Sequence, residues 1–268
     1  MFTLGRKVDF NYKTNKIIVI AAAICGVIGW IATGNVRSGL TLGFSVFLTW
    51  ALGRELDPNH DYSAFIASGL SLLNFVYYEN IQLLVIVWLL LLIRLVNGIT
   101  GKSPTIFDVV SALGFTVFLS MDNANSGYIV VFGLAMLCLI KLQVKPKLAL
   151  AAGVIGLGLF IGQLFFMNYP VVNPILNING LRIFASLLLV SSFMLFWFLS
   201  KADIKDDLGH PVKRSRILAG QMLFSGAGLI LLIFDAVSFN NLVIYLSVIL
   251  ASWIYFLSEQ VFKRKRVS

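Results

Sequence analysis

Between Gly53 and Tyr62 the chain places an arginine, a histidine and three carboxylates within eight residues: Arg54, Glu55, Asp57, His60 and Asp61. Asp57 and Asp61 form a D-x-x-x-D pair. Hard oxygen ligands at this spacing can hold Mg²⁺, which keeps several waters and bridges to substrate phosphates. Arg54 can pair bidentately with a phosphate or carboxylate. His60 titrates near neutral pH and can act as a general base, with Glu55 as a second proton carrier. Capping explains part of this loop. Pro58 ends a helix, Asp57 can close an Asx turn, and Asp61 or Ser63 can start the next helix. The density of charge exceeds what capping needs.

Two further segments carry comparable chemistry. The first runs from Arg94 to Asp108. Arg94 stands near a helix end, and Gly98, Thr100, Gly101 and Lys102 can make a small anion cradle leading into a helix. It lacks the glycine spacing and the preceding strand of a nucleotide-binding loop. Thr105-x-x-Asp108 has the pattern of a capping box, which gives Asp108 a structural role. The second holds Asp203, Asp206 and Asp207, followed by a glycine turn and the basic residues Lys213, Arg214 and Arg216. It reads as a solvated loop, or as the second half of a metal and phosphate site with Asp206 and Asp207 as ligands.

The elements that must position these loops are apolar helices. The 268 residues are 59% hydrophobic and 12% charged, against about 25% charged in a soluble domain. Ten apolar runs are expected to be spans, near 17–34, 38–53, 62–79, 81–98, 105–121, 127–143, 148–168, 181–200, 216–235 and 240–258. Their continuity indicates helices rather than barrel strands, which would alternate. The expected fold is all-α, a polytopic transmembrane bundle forming one integral-membrane domain over residues 1–268. All six prolines are expected in loops. The loop 168–180, with two prolines and four asparagines, is expected to be an ordered turn. Gly158-x-x-x-Gly162 fits a helix-packing contact.

Charge sets the expected topology. All of the 21 Lys and Arg residues except Arg37 and Arg182 fall in alternate loops or tails. By the positive-inside rule both termini are then cytoplasmic, while Arg37, Arg182, Glu79, Asp122 and Asp235 lie outside. The net charge of +9 follows this topology instead of forming a dense patch, so nucleic acid is not expected as a partner. Sixteen residues, rich in polar and charged side chains, precede the first apolar run without a small-x-small cleavage pattern after it, so that run is expected to be an uncleaved span. Cys25 and Cys138 lie inside apolar runs and indicate neither a disulfide framework nor a zinc site.

An ionisable residue deep in a bilayer marks function. The span centres hold only Asn74, Gln163, Gln221 and scattered Ser and Thr. Chemistry is therefore expected at the cytoplasmic boundary. The phrase Asp203-x-x-Asp206-Asp207-x-Gly209 is similar to the second acidic motif of the intramembrane polyprenyltransferases. That resemblance implies Mg²⁺-diphosphate held between two acidic loops. The chain departs from the family pattern in lacking an Asn-led first motif, in placing six spans between the loops instead of four, and in having two spans after the second loop instead of three. The expected function is binding or transformation of an anionic lipid or lipid-linked phosphate, with Mg²⁺ as the cofactor. Arg54, Arg94 and Lys102 would hold phosphate, Asp57, Asp61, Asp206 and Asp207 the metal, and Glu55 and His60 would move protons. A small-solute transporter, whose ten spans would resemble the drug/metabolite transporter topology, and a membrane scaffold or assembly subunit are the alternatives. The expected partners are the bilayer and a lipid or small-molecule substrate. The expected location is a bacterial-type plasma membrane.

Overall fold

The computed structural model describes residues 2–6, 8–76, 81–169 and 180–267; of 76 and 262–267 only the helical backbone is described. Glu79, Pro170, Pro174 and nearly all of the 168–180 loop lie outside the described residues. Among those described the chain is all-helical, with ten α-helices and no strand. They are α1 (Lys13–Thr33), α2 (Val36–Leu56), α3 (Asp61–Ser71), α4 (Leu83–Asn97), α5 (Ile106–Asp122), α6 (Gly127–Lys141), α7 (Pro146–Phe166), α8 (Gly180–Leu199), α9 (Arg214–Ile233) and α10 (Phe239–Val267). Five of them, α1, α7, α8, α9 and α10, are long and apolar enough to cross a membrane, and α4 and α6 are apolar but shorter. By length and composition this is a multi-pass membrane protein.

Each expected apolar run has its helix, but several boundaries differ, most of all that of α10, which runs to Val267 where the expected span ends at 258. The second run, expected to be short, is a full 21-residue helix that takes in Arg54 and Glu55. The third is an 11-residue α-helix followed by a 3₁₀ turn at Leu72–Val76. Pro146 opens α7. Its missing N–H costs nothing there, because the first-turn donors have no intrahelical partner.

The chain divides into two compact units. One comprises Lys7–Leu83 and Ser238–Ser268. Its α1 and α2 pack through glycine: a Cβ on Gly39 would stand 2.4 Å from the Gly26 carbonyl oxygen, and one on Gly43 would stand 2.7 Å from that of Ala22. Such close backbone approach is how helices associate where lipid leaves no hydrophobic drive between them. Gly158 and Gly162, expected to do this, face open space. In the same unit α10 packs on α3 and α2. Asn74, singled out for its polarity, pairs with Asn240: the Asn240 amide donates to Asn74 Oδ1 at 3.0 Å, and the Asn74 amide donates to the Asn240 carbonyl at 3.1 Å.

The other unit comprises Met1–Arg6 and Leu84–Val237. Its core centres on Trp88, whose indole N–H donates to Thr116 Oγ1 at 2.8 Å while its ring meets Tyr128 edge-on at 5.4 Å. Tyr128 in turn donates to the Ala236 carbonyl. Gln163 accepts from the Ser120 hydroxyl at 2.7 Å. These buried polar groups are satisfied, as low-dielectric surroundings demand.

Candidate functional site

In the unit built on α2, α3 and α10, the loop chemistry converges on His60. Asp57 closes α2 as its C-cap, its N–H donating to the Gly53 carbonyl. Three residues later His60 precedes the first turn of α3. That spacing folds the imidazole back, so its Nδ1 lies 2.7 Å from Asp57 Oδ1. An ionised carboxylate only accepts, so Nδ1 is the donor. Nε2 faces Glu259 Oε2 at 3.9 Å, and the ring lies against that of Tyr255, with centroids 4.7 Å apart. Tyr255 and Glu259 stand one helical turn apart on α10, so they share a face. Asp57 is 3% exposed, and its second oxygen has no hydrogen-bond partner among the described residues. Arg54 forms an ion pair with Asp61 and donates to the Pro58 carbonyl at 3.1 Å.

Two features of this cluster differ from the sequence expectation. Glu55, expected in the loop, lies in the last turn of α2 and is 1% exposed. Glu259 and Tyr255 were not foreseen. The available signal was modest: Glu259 is the only acid after Asp235, one turn beyond an aromatic residue.

The remaining expected site residues, Arg94, Lys102, Asp206 and Asp207, belong to the other unit and have other duties. Asp206 Oδ1 accepts from the N–H groups of Leu208 and His210 at 2.9 and 2.8 Å. It thereby shapes a tight hairpin in which Lys205 bridges to Pro211. Ile204 of this hairpin joins Ile99 and Ile217 in a small apolar cluster. Asp207 forms an ion pair with Arg6 at 2.5 Å. Arg94 donates to the Leu4 carbonyl at 3.3 Å. Lys102 is exposed. Gly98 and Gly101 have φ of 67° and 73°, as the expected cradle requires. However, the Arg216 guanidinium lies directly on Gly98, where a Cβ would stand 2.2 Å from its Cζ. Asp108 is the cap foreseen: Thr105 and Asp108 complete a capping box. Asp108 also accepts from the N–H and hydroxyl of Thr3 at 2.7 and 2.6 Å. Residues 2–6 thus occupy groups that the sequence offered to phosphate and metal.

Each of the four aspartates expected to bind Mg²⁺ has a protein partner: His60 for Asp57, Arg54 for Asp61, backbone N–H groups for Asp206 and Arg6 for Asp207. Among the described residues no group of three or more His, Cys, Asp or Glu is arranged to hold a metal ion. No protein-family model matches the chain, and no match is found among curated proteins or solved structures.

Proposed function

We propose that the His60 cluster binds the hydroxylated head group of a neutral membrane amphiphile and draws a proton from one of its hydroxyls. One observation carries this reading. His60 is held at Nδ1 by a buried carboxylate, while its Nε2 faces a second carboxylate across a 3.9 Å gap. Two neighbouring donors of a polyol, such as glycerol or a sugar, fit that arrangement. One hydroxyl donates to Nε2 and the next to Glu259. Asp57 fixes the tautomer and stabilises the imidazolium that forms when a proton arrives, as a carboxylate does for a catalytic histidine. A hydroxyl polarised in this way becomes the better nucleophile.

The charge balance favours a neutral head over the phosphate expected from sequence. Asp57, Asp61 and Glu259 surround a cluster in which, among the described residues, the permanent cation is Arg54, and that guanidinium is paired with Asp61. Like charge next to these carboxylates would be repelled. We place the cluster on the cytoplasmic side of a ten-crossing chain with both termini inside. The loop alternation of Lys and Arg supports this. So does the ion pair between Arg182 and Asp235, two residues that the same alternation assigns to the outer side.

The test uses the full chain in phosphatidylcholine nanodiscs and the water-soluble probe 1-butyryl glycerol. Carbethoxylation of His60 by diethyl pyrocarbonate is read by peptide mass spectrometry. His210, the only other histidine, is well exposed and serves as the internal control. The reading expects saturable protection of His60 but not of His210. Equal modification of His60 with and without the probe would refute it.

A further inference from the structure

The unit that does not carry His60 has a cleft of about 710 Å³ lined by the first turns of α5 and α7, a volume in the ordinary range for ligand sites. Pro104, Ile106, Pro146 and Leu148 give it apolar walls, and Lys145 and Lys147 bring two ammonium groups. Both lysines are exposed, and neither has an ion-pair or hydrogen-bond partner among the described residues. No carboxylate lines the cleft. Asp108, in the first turn of α5, is 0% exposed and accepts from Thr3 and Thr105, so its charge is already met.

α7 adds backbone donors to the two cations. Pro146 has no N–H, and no side chain caps the helix. The N–H groups of Lys147 and Leu148 lie in its first turn, where no carbonyl of the helix reaches them. The positive end of the helix dipole points the same way as the ammonium charges. Cations that only set topology need no cavity. Lys205 and Lys213, assigned to the same side by the charge alternation, are exposed too and line no part of this cleft.

The place of the cleft on α7 indicates which anion it meets. α7 has the length and composition of a membrane span. Its 21 residues rise about 31 Å, close to the ~30 Å of a bilayer's hydrocarbon core. The first turn, which lines the cleft, therefore falls at the level of the head groups. From there each helix carries an exposed apolar stripe toward the hydrocarbon: Ile106 and Val110 on α5, and Leu150, Val154 and Leu157 on α7.

We infer that this cleft binds the phosphate of an anionic phospholipid, independently of the His60 reading. Lys145 and Lys147 meet the phosphodiester, the N–H groups of Lys147 and Leu148 donate to its oxygens, and the acyl chains lie along α5 and α7. Basic pockets beside spans at the inner surface hold such head groups by the same charge complementarity.

The test titrates the full chain in dodecyl maltoside with dioleoyl phosphatidylglycerol and counts bound lipid by native mass spectrometry. Lys145→Gln with Lys147→Gln removes two charges at exposed positions, so the fold is retained. Lys205→Gln with Lys213→Gln removes equal charge outside the cleft. The cleft pair is expected to raise the apparent Kd at least about tenfold and the outside pair by less than about twofold. Dioleoyl phosphatidylcholine, with the same chains and no net charge, is expected to bind the parent chain at least about tenfold more weakly. Equal weakening by the two pairs would overturn the inference, because it would mean attraction to diffuse surface charge. Equal binding of the two lipids would overturn it as well. Glycerol 3-phosphate, a head without chains, is expected to leave the bound phosphatidylglycerol in place. Its displacing the lipid at matching concentration would assign the cleft to a free phosphate ester and overturn the lipid as occupant.

Discussion

The loops at 54–61 and 203–210 look alike in sequence and behave differently in structure. Each combines three acids, a histidine and a nearby arginine. In the second, Asp206 has closed a hairpin on two backbone N–H groups and Asp207 has taken Arg6. Those carboxylates hold the chain together. In the first, Asp57 spends one oxygen on His60 and keeps the other unmatched among the described residues although it is buried. The difference teaches that acidic density does not mark a site. Hydrogen-bonding capacity left over after folding does, because burying it without a partner costs free energy that only a ligand or water can return.

The largest effect that would sharpen the contrast is on stability in the second loop. Asp206→Ala removes a half-buried acceptor of two charge-assisted hydrogen bonds and is expected to cost about 1.5 kcal/mol. Thermal unfolding followed by tryptophan fluorescence should show the lower midpoint, while His60 in the folded fraction is still protected by 1-butyryl glycerol. Asp57→Asn should do the opposite. It removes an incompletely satisfied buried charge, so stability should change by less than about 1 kcal/mol. Protection of His60 should weaken about tenfold, because the amide no longer enforces the tautomer. If Asp57→Asn unfolded the protein and Asp206→Ala did not, the two loops would have been assigned the wrong way round.

A smaller effect concerns Arg6. Its pair with Asp207 is 27% and 37% exposed at the side chains, so solvent screens it. Arg6→Ala should lower stability by no more than about 0.5 kcal/mol. A loss of several kcal/mol in a thermal melt would mean that residues 2–6 are a keystone of that unit instead of a fastening. The smallest effect applies the same lesson to glycine. Gly158 faces open space, and Gly158→Ala should be neutral or stabilising by about 0.5 kcal/mol. A marked loss would show that α7 makes a close contact at that face after all.

Much of the fold was legible because a helix in lipid must satisfy its own backbone, which forces long apolar runs with polar punctuation. All ten runs correspond to helices. Their ends were less legible: Arg54 and Glu55 continue α2, since an amphipathic last turn can leave the apolar zone without ending the helix. Local pairings were readable too, as Thr105 with Asp108 shows. What sequence could not supply were partners distant along the chain. Thr3 meets Asp108 across 105 positions, and His60 meets Glu259 from a different helix. The glycine contact was misjudged for a related reason. Gly158-x-x-x-Gly162 and Gly39-x-x-x-Gly43 are indistinguishable as strings, and only the presence of a neighbouring helix backbone separates them.

The account turns on Glu259 standing opposite His60 as the second acceptor for a polyol head. Protection of His60 by 1-butyryl glycerol, measured side by side in Glu259→Gln and Asp206→Ala, tests this most directly. The account predicts that Glu259→Gln raises the protecting concentration at least about tenfold while Asp206→Ala leaves it unchanged in the folded protein. Identical protecting concentrations in the two variants would contradict it.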